Sequence, residues 1–334
     1  MRDGGSIAPQ FLFVLLFIAI LAIGVARFLS AAALAERNSR LRFFADKELT
    51  DAALGILAAL KKDPTPEADG RFDPVQELDG RVVGGIELGI TDRSSAINVN
   101  FVRKNVFEKT ALSSLLTPGR SADELQQYRE DAGLSILSAH YGAFFQPDDF
   151  TGRLTTYGWA NVNLTDEFAL SSFASSITGS EEQGEALRLK LRPLLLAKTL
   201  VTRDSLRTFL GAQYDAYFPL ISAEPVMNVN FVDVFVLREL CKYPDYGLES
   251  PAAKAERIIR ERETHEIDEK DLKSLLGVDE ENRLLHYFGS RTWFWELSAE
   301  KNGRRCVMII GRYPDGDGES SSAPRLEIVE TRFE

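Results

Sequence analysis

The nonpolar stretch at residues 11–26 constrains this chain more than any other feature. Between Asp3 and Arg27 no residue is charged, so the stretch favours the interior of a lipid bilayer. As a helix it rises about 24 Å, which is less than the ~30 Å hydrocarbon core of a membrane. The aliphatic stem of Arg27 can lie along lipid while its charge reaches water, so the helix can extend beyond this residue. We therefore predict a single membrane-spanning helix near the start of the chain.

Three interpretations fit this stretch. A secretory signal would be cleaved after the nonpolar block, at small residues such as those of segment 31–35. A signal anchor would stay uncut. A leader of the type IV pilin kind would be cut before the nonpolar block, after a glycine, and the mature protein would keep the whole helix.

The residues after Arg27 continue the helical pattern as far as Leu60. Nonpolar residues recur among charged ones, at Leu34, Leu41, Phe43, Phe44, Leu49, Ala52, Leu54, Leu57 and Leu60. A cleaved signal ends after its nonpolar block, whereas pilins and pseudopilins have one helix that begins in lipid and ends against a globular head. This stretch by itself leaves the three interpretations open.

Composition excludes several classes of function. The net charge is −11, which argues against nucleic-acid binding because phosphate recognition needs a basic surface. Cys241 and Cys306 form no metal-ligand pattern, so they either join in a disulfide or remain two buried thiols. His140, His265 and His286 lie far apart, and no G-x-S-x-G or H-E-x-x-H motif accompanies them. We predict no catalytic residues and no enzyme activity, which argues against an anchored periplasmic hydrolase.

Residues 62–102 and 280–334 have the pattern of strands in an antiparallel sheet. Pro64 ends the preceding helix because proline lacks a backbone N–H. Residues 86–90 alternate nonpolar with polar or small side chains, as a strand with one buried face requires. The end of the chain fits a meander, with strands at 284–288, 292–297, 304–311 and 326–330 and a hairpin turn at 301–303.

A short motif recurs between the two parts of this sheet. The segment Ile97-Asn98-Val99-Asn100 returns as Met227-Asn228-Val229-Asn230, and more weakly as Ala160-Asn161-Val162-Asn163. In each copy we expect a short strand followed by a helix, with the second asparagine accepting from free N–H groups at the helix start. The spacings between copies do not define a solenoid, so we interpret them as reused strand-to-helix corners.

Residues 234–277 have the pattern of a helix-hairpin-helix module. Its characteristic positions are Ala255, Ile258 and either Arg260 or Arg262, followed by the helix 271–277. Such modules bind DNA phosphates through backbone amides of the hairpin. Here Pro244 and Asp245 occupy the hairpin and acidic residues surround it, so DNA binding is not expected.

One acidic segment has part of a calcium-loop pattern. Asp315-Gly316-Asp317-Gly318-Glu319 alternates carboxylates, but the late bidentate glutamate of a complete loop is missing. A solvated hairpin is therefore the expected structure.

Taken in order, these features resemble the minor pseudopilin K family of bacterial type II secretion, also called general secretion pathway protein K. The likeness covers almost the whole chain. It rests on the glycine before the nonpolar helix and on segments 97–100, 202–211, 217–220, 227–230, 236–237, 255–262, 271–277, 287–288 and 310–312.

The resemblance implies specific roles for residues near the start of the chain. Prepilin peptidase would cut between Gly5 and Ser6, so that Gln10 becomes the fifth mature residue. Most pseudopilins carry a glutamate there, which pairs with the terminus of the neighbouring subunit, and the K subunit lacks it. Gln10 suits a subunit that has no neighbour above it.

The resemblance also implies a location and partners. The expected place is the bacterial inner membrane, crossed once, with a cytoplasmic N-terminus and a periplasmic C-terminal domain. Expected partners are the I and J minor pseudopilins, the major pseudopilin and the inner-membrane secretion platform, which this subunit would join at the tip of the pseudopilus. Calcium is implied for the family, but Phe101 and the pair Phe231-Val232 depart from its pattern, so no calcium ligand is assigned here.

The predicted fold class is α+β. A long N-terminal helix packs on an antiparallel sheet that is interrupted by helical regions resembling SAM-like and helix-hairpin-helix domains. The predicted segments are a leader at 1–5, the helix at 6–61, the first sheet part at 62–102, a helical insert at 103–225, a second helical module at 226–279, and closing strands at 280–334. Alternative functions are a minor tip pilin of a type IV pilus and a membrane-anchored DNA-binding protein.

Overall fold

A computed structural model describes residues 42–63, 68–196, 200–214, 221–313 and 325–334, together with positions 34, 36, 37, 39 and 40. The helices are α1 (42–60), α2 (Lys104–Glu108), α3 (Ala122–Ala132), α4 (Glu167–Thr178), α5 (Glu181–Leu196), α6 (Arg203–Leu210), α7 (Val234–Lys242), α8 (Pro251–Glu261), α9 (Glu269–Leu276) and α10 (Leu284–Tyr287). The strands are β1 (Val82–Val83), β2 (Ile86–Asp92), β3 (Ile97–Asn98), β4 (Leu154–Thr155), β5 (Ala160–Asn161), β6 (Ile221–Ser222), β7 (Met227–Asn228), β8 (Phe288–Gly289), β9 (Phe294–Lys301), β10 (Arg304–Tyr313) and β11 (Arg325–Phe333).

Several predictions fall outside the described residues. They concern the nonpolar stretch 11–26, the processing site Gly5–Ser6, the Gln10 position and the acidic segment 315–319. Among the helices that the structure describes, none combines the length and hydropathy needed to cross a bilayer.

The main sheet has five strands in the order β1-β2-β9-β10-β11, and each neighbouring pair is antiparallel. Alternation along β2 buries Ile86, Leu88 and Ile90, as the sequence predicts. The β9–β10 turn is also confirmed, because Asn302 and Gly303 have φ of 55° and 73°, the left-handed geometry of a two-residue hairpin. The α+β class is confirmed.

Helix α1 packs its later turns on one face of this sheet. Its buried residues are Leu49, Ala53, Ile56, Leu57 and Leu60, which join a core with β2, β9 and β10. Each fully buried leucine or isoleucine contributes about 1.5–3 kcal/mol relative to exposure. The predicted nonpolar stripe was wrong at Leu34, Phe43 and Phe44 near its start and at Leu54 further along, because these four side chains are exposed.

Three units of similar construction fill the chain between the two parts of the sheet. We call them unit 1 (97–155), unit 2 (160–222) and unit 3 (227–289). Each opens with a two-residue strand that carries the first asparagine of the motif. Each closes with a strand that pairs in parallel with the opening one, as β3–β4, β5–β6 and β7–β8.

This arrangement changes the interpretation of the recurring motif. The copies were interpreted as reused strand-to-helix corners and not as repeats, but they occupy equivalent positions in the three units. The opening residues Ile97, Ala160 and Met227 are nearly evenly spaced along the chain, although the helices between opening and closing strands differ in number and length. The predicted domain boundaries at 103, 226 and 280 stay predictions.

Candidate functional site

The first asparagine of each motif forms the turn at the corner. Its side-chain Oδ1 accepts a hydrogen bond from the backbone N–H of the second asparagine, at 2.9 Å in unit 1, 2.8 Å in unit 2 and 3.0 Å in unit 3. This bond bends the chain just after the opening strand, because asparagine side chains readily imitate a backbone turn.

The second asparagine joins the corner to a distant segment of its own unit. In unit 3 the amide of Asn230 donates to the carbonyl oxygen of Ile267 at 3.1 Å and accepts from its N–H at 2.9 Å. The equivalent pairs are Asn100 with Ser135, at 3.1 Å for both bonds, and Asn163 with Val201, at 2.9 and 2.8 Å.

The prediction that the second asparagine caps the following helix was therefore wrong. Aspartates three residues further along fill that role in two units. Asp166 accepts from Ala169 N–H at 2.7 Å, and Asp233 accepts from Phe235 N–H at 2.9 Å. The asparagine amide can donate and accept at once, which lets it pair with both backbone groups of one residue.

Buried arginines bind the corner carbonyls. Arg129 donates to Val102 O at 2.9 Å in unit 1, and Arg262 donates to Val232 O at 2.7 Å in unit 3. Burial lowers the pKa of both guanidinium groups. In unit 2 the donor is Arg103 of unit 1, which lies 3.4 Å from the carbonyl oxygens of Asn163 and Thr165. This contact ties units 1 and 2 together.

The helix-hairpin-helix positions serve packing inside unit 3. Ala255 and Ile258 are fully buried, and the guanidinium group of Arg262 donates hydrogen bonds to the carbonyl oxygens of Val229 and Val232 at the corner. In the hairpin Asp245 forms an ion pair with Lys109 at 2.9 Å. These positions therefore do not present a phosphate-binding surface.

Carboxylates gather where α1, the sheet and unit 3 meet. We call this the acidic junction: Asp63, Asp69, Asp73, Glu266 and the guanidinium of Arg312. Arg312 lies 2.6 Å from Asp69 and 3.4 Å from Asp63, and the Arg312 and Asp63 side chains are 2% and 1% exposed. The first three carboxylates each place an oxygen within 4.8 Å of the others.

Backbone contacts connect the acidic junction to the corner of unit 3. Asp69 Oδ2 accepts from Thr292 N–H at 2.7 Å. The Asp69 carbonyl oxygen accepts from the side-chain amides of Asn228 and Asn230 at 2.9 and 3.0 Å. Asp69 thus fixes the segment after α1 against both the sheet and unit 3.

Burial and crowding disfavour charge on these carboxylates. Burial raises the pKa of Asp69 to about 7, although Arg312 acts in the opposite direction. Burial and the neighbouring Asp63 raise the pKa of Asp73 to about 6. Burial and Asp63 also raise the pKa of Glu266. Sequence analysis missed this site, because Arg312 and Asp69 are 243 residues apart.

The two cysteines are free and buried. Cys241 belongs to the core of units 1 and 3, whereas Cys306 belongs to the core under α1. Burial raises the pKa of Cys241 to about 12 and also raises the pKa of Cys306. Of the two alternatives, buried thiols are confirmed and the disulfide was wrong.

The histidines belong to different parts of the structure. His140 packs against Tyr128 and Tyr141 in unit 1. The Nδ1 atom of His286 lies 3.1 Å from Asn163 Nδ2 and 3.2 Å from Ala223 O, where units 2 and 3 meet, and burial lowers its pKa. His265 lies beside Glu261 at 3.8 Å on an exposed helix end.

Solved structures include chains with a similar fold. Neither a protein-family model nor a curated relative matches the sequence. The fold is similar to one chain in the crystal structure of the GspK-GspI-GspJ complex from the enterotoxigenic Escherichia coli Type 2 Secretion System. The two chains are 12% identical with a TM-score of 0.45, and the alignment covers 90% of this chain and 99% of the other. An identity this low assigns no function by itself.

Proposed function

We propose that this chain is a minor pseudopilin of type II secretion, which initiates the pseudopilus at its tip and supports protein export across the outer membrane. The observation that carries the proposal is the position of α1. This helix follows a long nonpolar stretch in the sequence and lays its later turns on an antiparallel sheet. A filament subunit needs this continuity, because neighbouring subunits pack through the helix while the head stays attached to it.

The packing of α1 favours a filament subunit over a plain anchor. A plain anchor requires only a flexible connection between the membrane segment and the head. Here Leu49, Ile56 and Leu60 are each 1% exposed, so the end of the helix is part of the core of the head. Earlier on the same helix Phe43 and Phe44 are 65% and 64% exposed, which leaves nonpolar surface for a neighbouring helix.

The tip position is proposed from one feature of the sequence and one feature of the structure. Gln10 cannot supply the negative charge that pairs with a neighbouring amino terminus, which fits a subunit with none above it. Units 1 to 3 also add a large volume beside the sheet, which fits the end of a filament better than its shaft. The I and J minor pseudopilins are the proposed neighbours.

The proposed mechanism involves no chemical step by this chain. Prepilin peptidase would remove residues 1–5, and the nonpolar stretch 11–26 would hold the mature protein in the inner membrane with units 1 to 3 in the periplasm. Assembly would then proceed by lateral packing of helices and contacts between heads. The asparagine and arginine contacts of the corners would keep the head rigid while the filament transmits force.

The decisive experiment is amino-terminal sequencing of the protein extracted from membranes of its native host. The expected first residue is Ser6. A first residue near Ala35 would show a cleaved secretory signal, and an uncut Met1 would show a plain anchor; either result would refute the proposal. Deletion of the gene should abolish export of secreted proteins and leave surface pili intact. Loss of pili with normal export would instead favour a tip pilin of a type IV pilus.

A further inference from the structure

A cavity of about 140 Å³ lies where the three units meet, and we call it the arginine cavity. Unit 1 lines it with Arg103 and Asn105, unit 2 with Asn163, and unit 3 with Tyr246 and Arg283. Its volume is close to the ~150 Å³ that holds one benzene molecule in an engineered protein cavity. The cavity is partly open to solvent, so a small molecule or the end of a longer chain can enter it.

Two guanidinium groups line the arginine cavity without a carboxylate of their own. Neither Arg103 nor Arg283 forms an ion pair with any carboxylate among the described residues. The Nη2 atom of Arg103 lies 3.4 Å from two carbonyl oxygens, which is long for a hydrogen bond, and its buried Nε has no partner in the described part of the chain. Burial raises the pKa of Tyr287 while the charges of both arginines act in the opposite direction, so both guanidinium groups lie near its hydroxyl.

The acidic side chain beside these arginines is already balanced. Of the described residues that line the cavity, only Asp245 is acidic. Its two oxygens accept from Lys109 Nζ at 2.9 and 3.0 Å, and one also accepts from Tyr243 Oη at 2.7 Å. The bond from Lys109 lowers the pKa of Asp245, so this carboxylate is charged and the lysine offsets it. Arg103 and Arg283 therefore add two positive charges to the cavity, in a chain whose net charge is −11.

Tyrosine rings and neutral donors complete the lining. The ring centroids of Tyr243 and Tyr246 lie 4.7 Å apart, and those of Tyr246 and Tyr287 lie 5.8 Å apart. Burial raises the pKa of Tyr246 and of Tyr287, so both hydroxyls keep their protons. One hydrogen bond joins these two hydroxyls and uses one proton, which leaves the other proton for a ligand. The buried Oδ1 of Asn105 has no partner among the described residues, and a turn of this amide would place an N–H donor there.

We propose that the arginine cavity binds one organic carboxylate that carries a nonpolar group about the size of a single ring. The planar fork of a guanidinium matches the two oxygens of a carboxylate, and a buried Nε without a partner can make one of these bonds. The tyrosine rings form a wall against which a flat nonpolar group can pack. A small aromatic acid and the end of a peptide with an aromatic last residue both have this chemistry.

A bound carboxylate would connect units 1 and 3. Arg103 directly precedes α2 and Arg283 directly precedes α10, so a ligand held by both would fix the starts of two helices. Arg103 also contacts the corner of unit 2. The cations here are side chains and not backbone amides of the hairpin, so the site differs from that of a helix-hairpin-helix module. This inference does not depend on the proposed function, since it rests on the contacts of the cavity alone.

The test is isothermal titration calorimetry of the full chain in detergent with benzoate, and with benzamide as a neutral probe of the same shape. Wild type should bind one benzoate, and it should bind benzamide at least about tenfold more weakly, because the charge-assisted bonds are lost. Arg103→Gln and Arg283→Gln should each weaken benzoate binding by about tenfold or more. The matched control is Arg238→Gln, because Arg238 is an exposed arginine that pairs with Glu256 outside the cavity.

A pair of peptides identifies the source of the carboxylate. The probes are acetyl-Gly-Gly-Phe with a free carboxylate and the same peptide with an amidated end. Binding of the free peptide more tightly than benzoate supports the proposal with a peptide terminus as the ligand. Weaker binding of this peptide than of benzoate supports it with a small free acid.

Four results would overturn the inference. They are no benzoate binding by wild type, equal affinity for benzoate and benzamide, unchanged binding by both cavity variants, and tighter binding of inorganic phosphate than of benzoate. If Arg103→Gln fails to fold, Arg283→Gln decides the question, because the Arg283 guanidinium makes no hydrogen bond or ion pair within the described part of the chain.

Discussion

Asn230 and Ile267 exchange two hydrogen bonds across 37 residues of sequence, with the asparagine amide acting as donor at 3.1 Å and as acceptor at 2.9 Å. The same amide also donates to Asp69 O at 3.0 Å. One side chain therefore joins the corner of unit 3, the segment before α9 and the acidic junction. Equivalent asparagines in units 1 and 2 hold their own distant segments in the same way.

We expect Asn230→Ala to lower the free energy of unfolding by about 2–4 kcal/mol, because it leaves the backbone groups of Ile267 and the Asp69 carbonyl buried without this partner. Urea denaturation followed by circular dichroism measures the change. Asn302→Gly is the matched control, since Asn302 is exposed at φ 55° in a hairpin turn that glycine adopts freely. Equal stability of the two variants would contradict the role assigned to Asn230.

The pattern of neighbouring residues in the sequence predicted some features of the fold and of the corners, but it could not predict contacts between distant segments. The alternation of β2 and the turn at Asn302 were predictable because they depend on adjacent residues. The corner was also predictable, but the partner of its second asparagine was not, since nothing near Asn230 in sequence indicates Ile267. Helix α1 shows the same limit: the period of its nonpolar residues was visible, but only its later turns have sheet beneath them.

The ion pair between Arg312 and Asp69 supplies a second prediction. Both side chains are buried, so Arg312→Leu leaves a carboxylate without its cation and should cost about 3–5 kcal/mol of unfolding free energy. Adding Asp69→Asn to Arg312→Leu should recover part of the lost unfolding free energy, since the uncompensated charge of Asp69 is then absent. Arg238→Leu removes an exposed ion pair with Glu256 and should leave stability near that of wild type. A double variant less stable than Arg312→Leu would argue against charge as the cause.

His286 supplies a prediction about pH. Burial lowers its pKa below the value of about 6.5 that an unfolded histidine has. Between these two values the unfolded chain binds more protons than the native one, so the contribution of His286 to stability falls as pH drops below about 6.5. Asp69 and Asp73 act in the opposite direction, because their pKa values are raised in the native state to about 7 and about 6.

The difference between wild type and a variant isolates the histidine. As pH falls from 7 to 5, protonation of His286 lowers the unfolding free energy of wild type, and His286→Gln should remove this contribution. The unfolding free energy of wild type and of the variant is measured at each pH. His265→Gln is the control, because His265 lies on the surface beside Glu261. Should both variants follow the wild-type pH profile, His286 would not be held neutral by the contact between units 2 and 3.

The leader assignment supplies the last prediction, and it concerns Gly5 and Ser6. A peptidase that cuts after glycine must bring the peptide bond close to its catalytic groups, and a β-branched side chain at this position obstructs the approach. Gly5→Val should therefore leave the protein uncut in membranes, with an intact amino terminus by sequencing and a mass larger by the leader. Gly4→Ala is the matched control, since its change is small and one residue further from the cut. If Gly5→Val matures normally, the enzyme does not cut at this glycine, and α1 would then be the continuation of an ordinary membrane anchor.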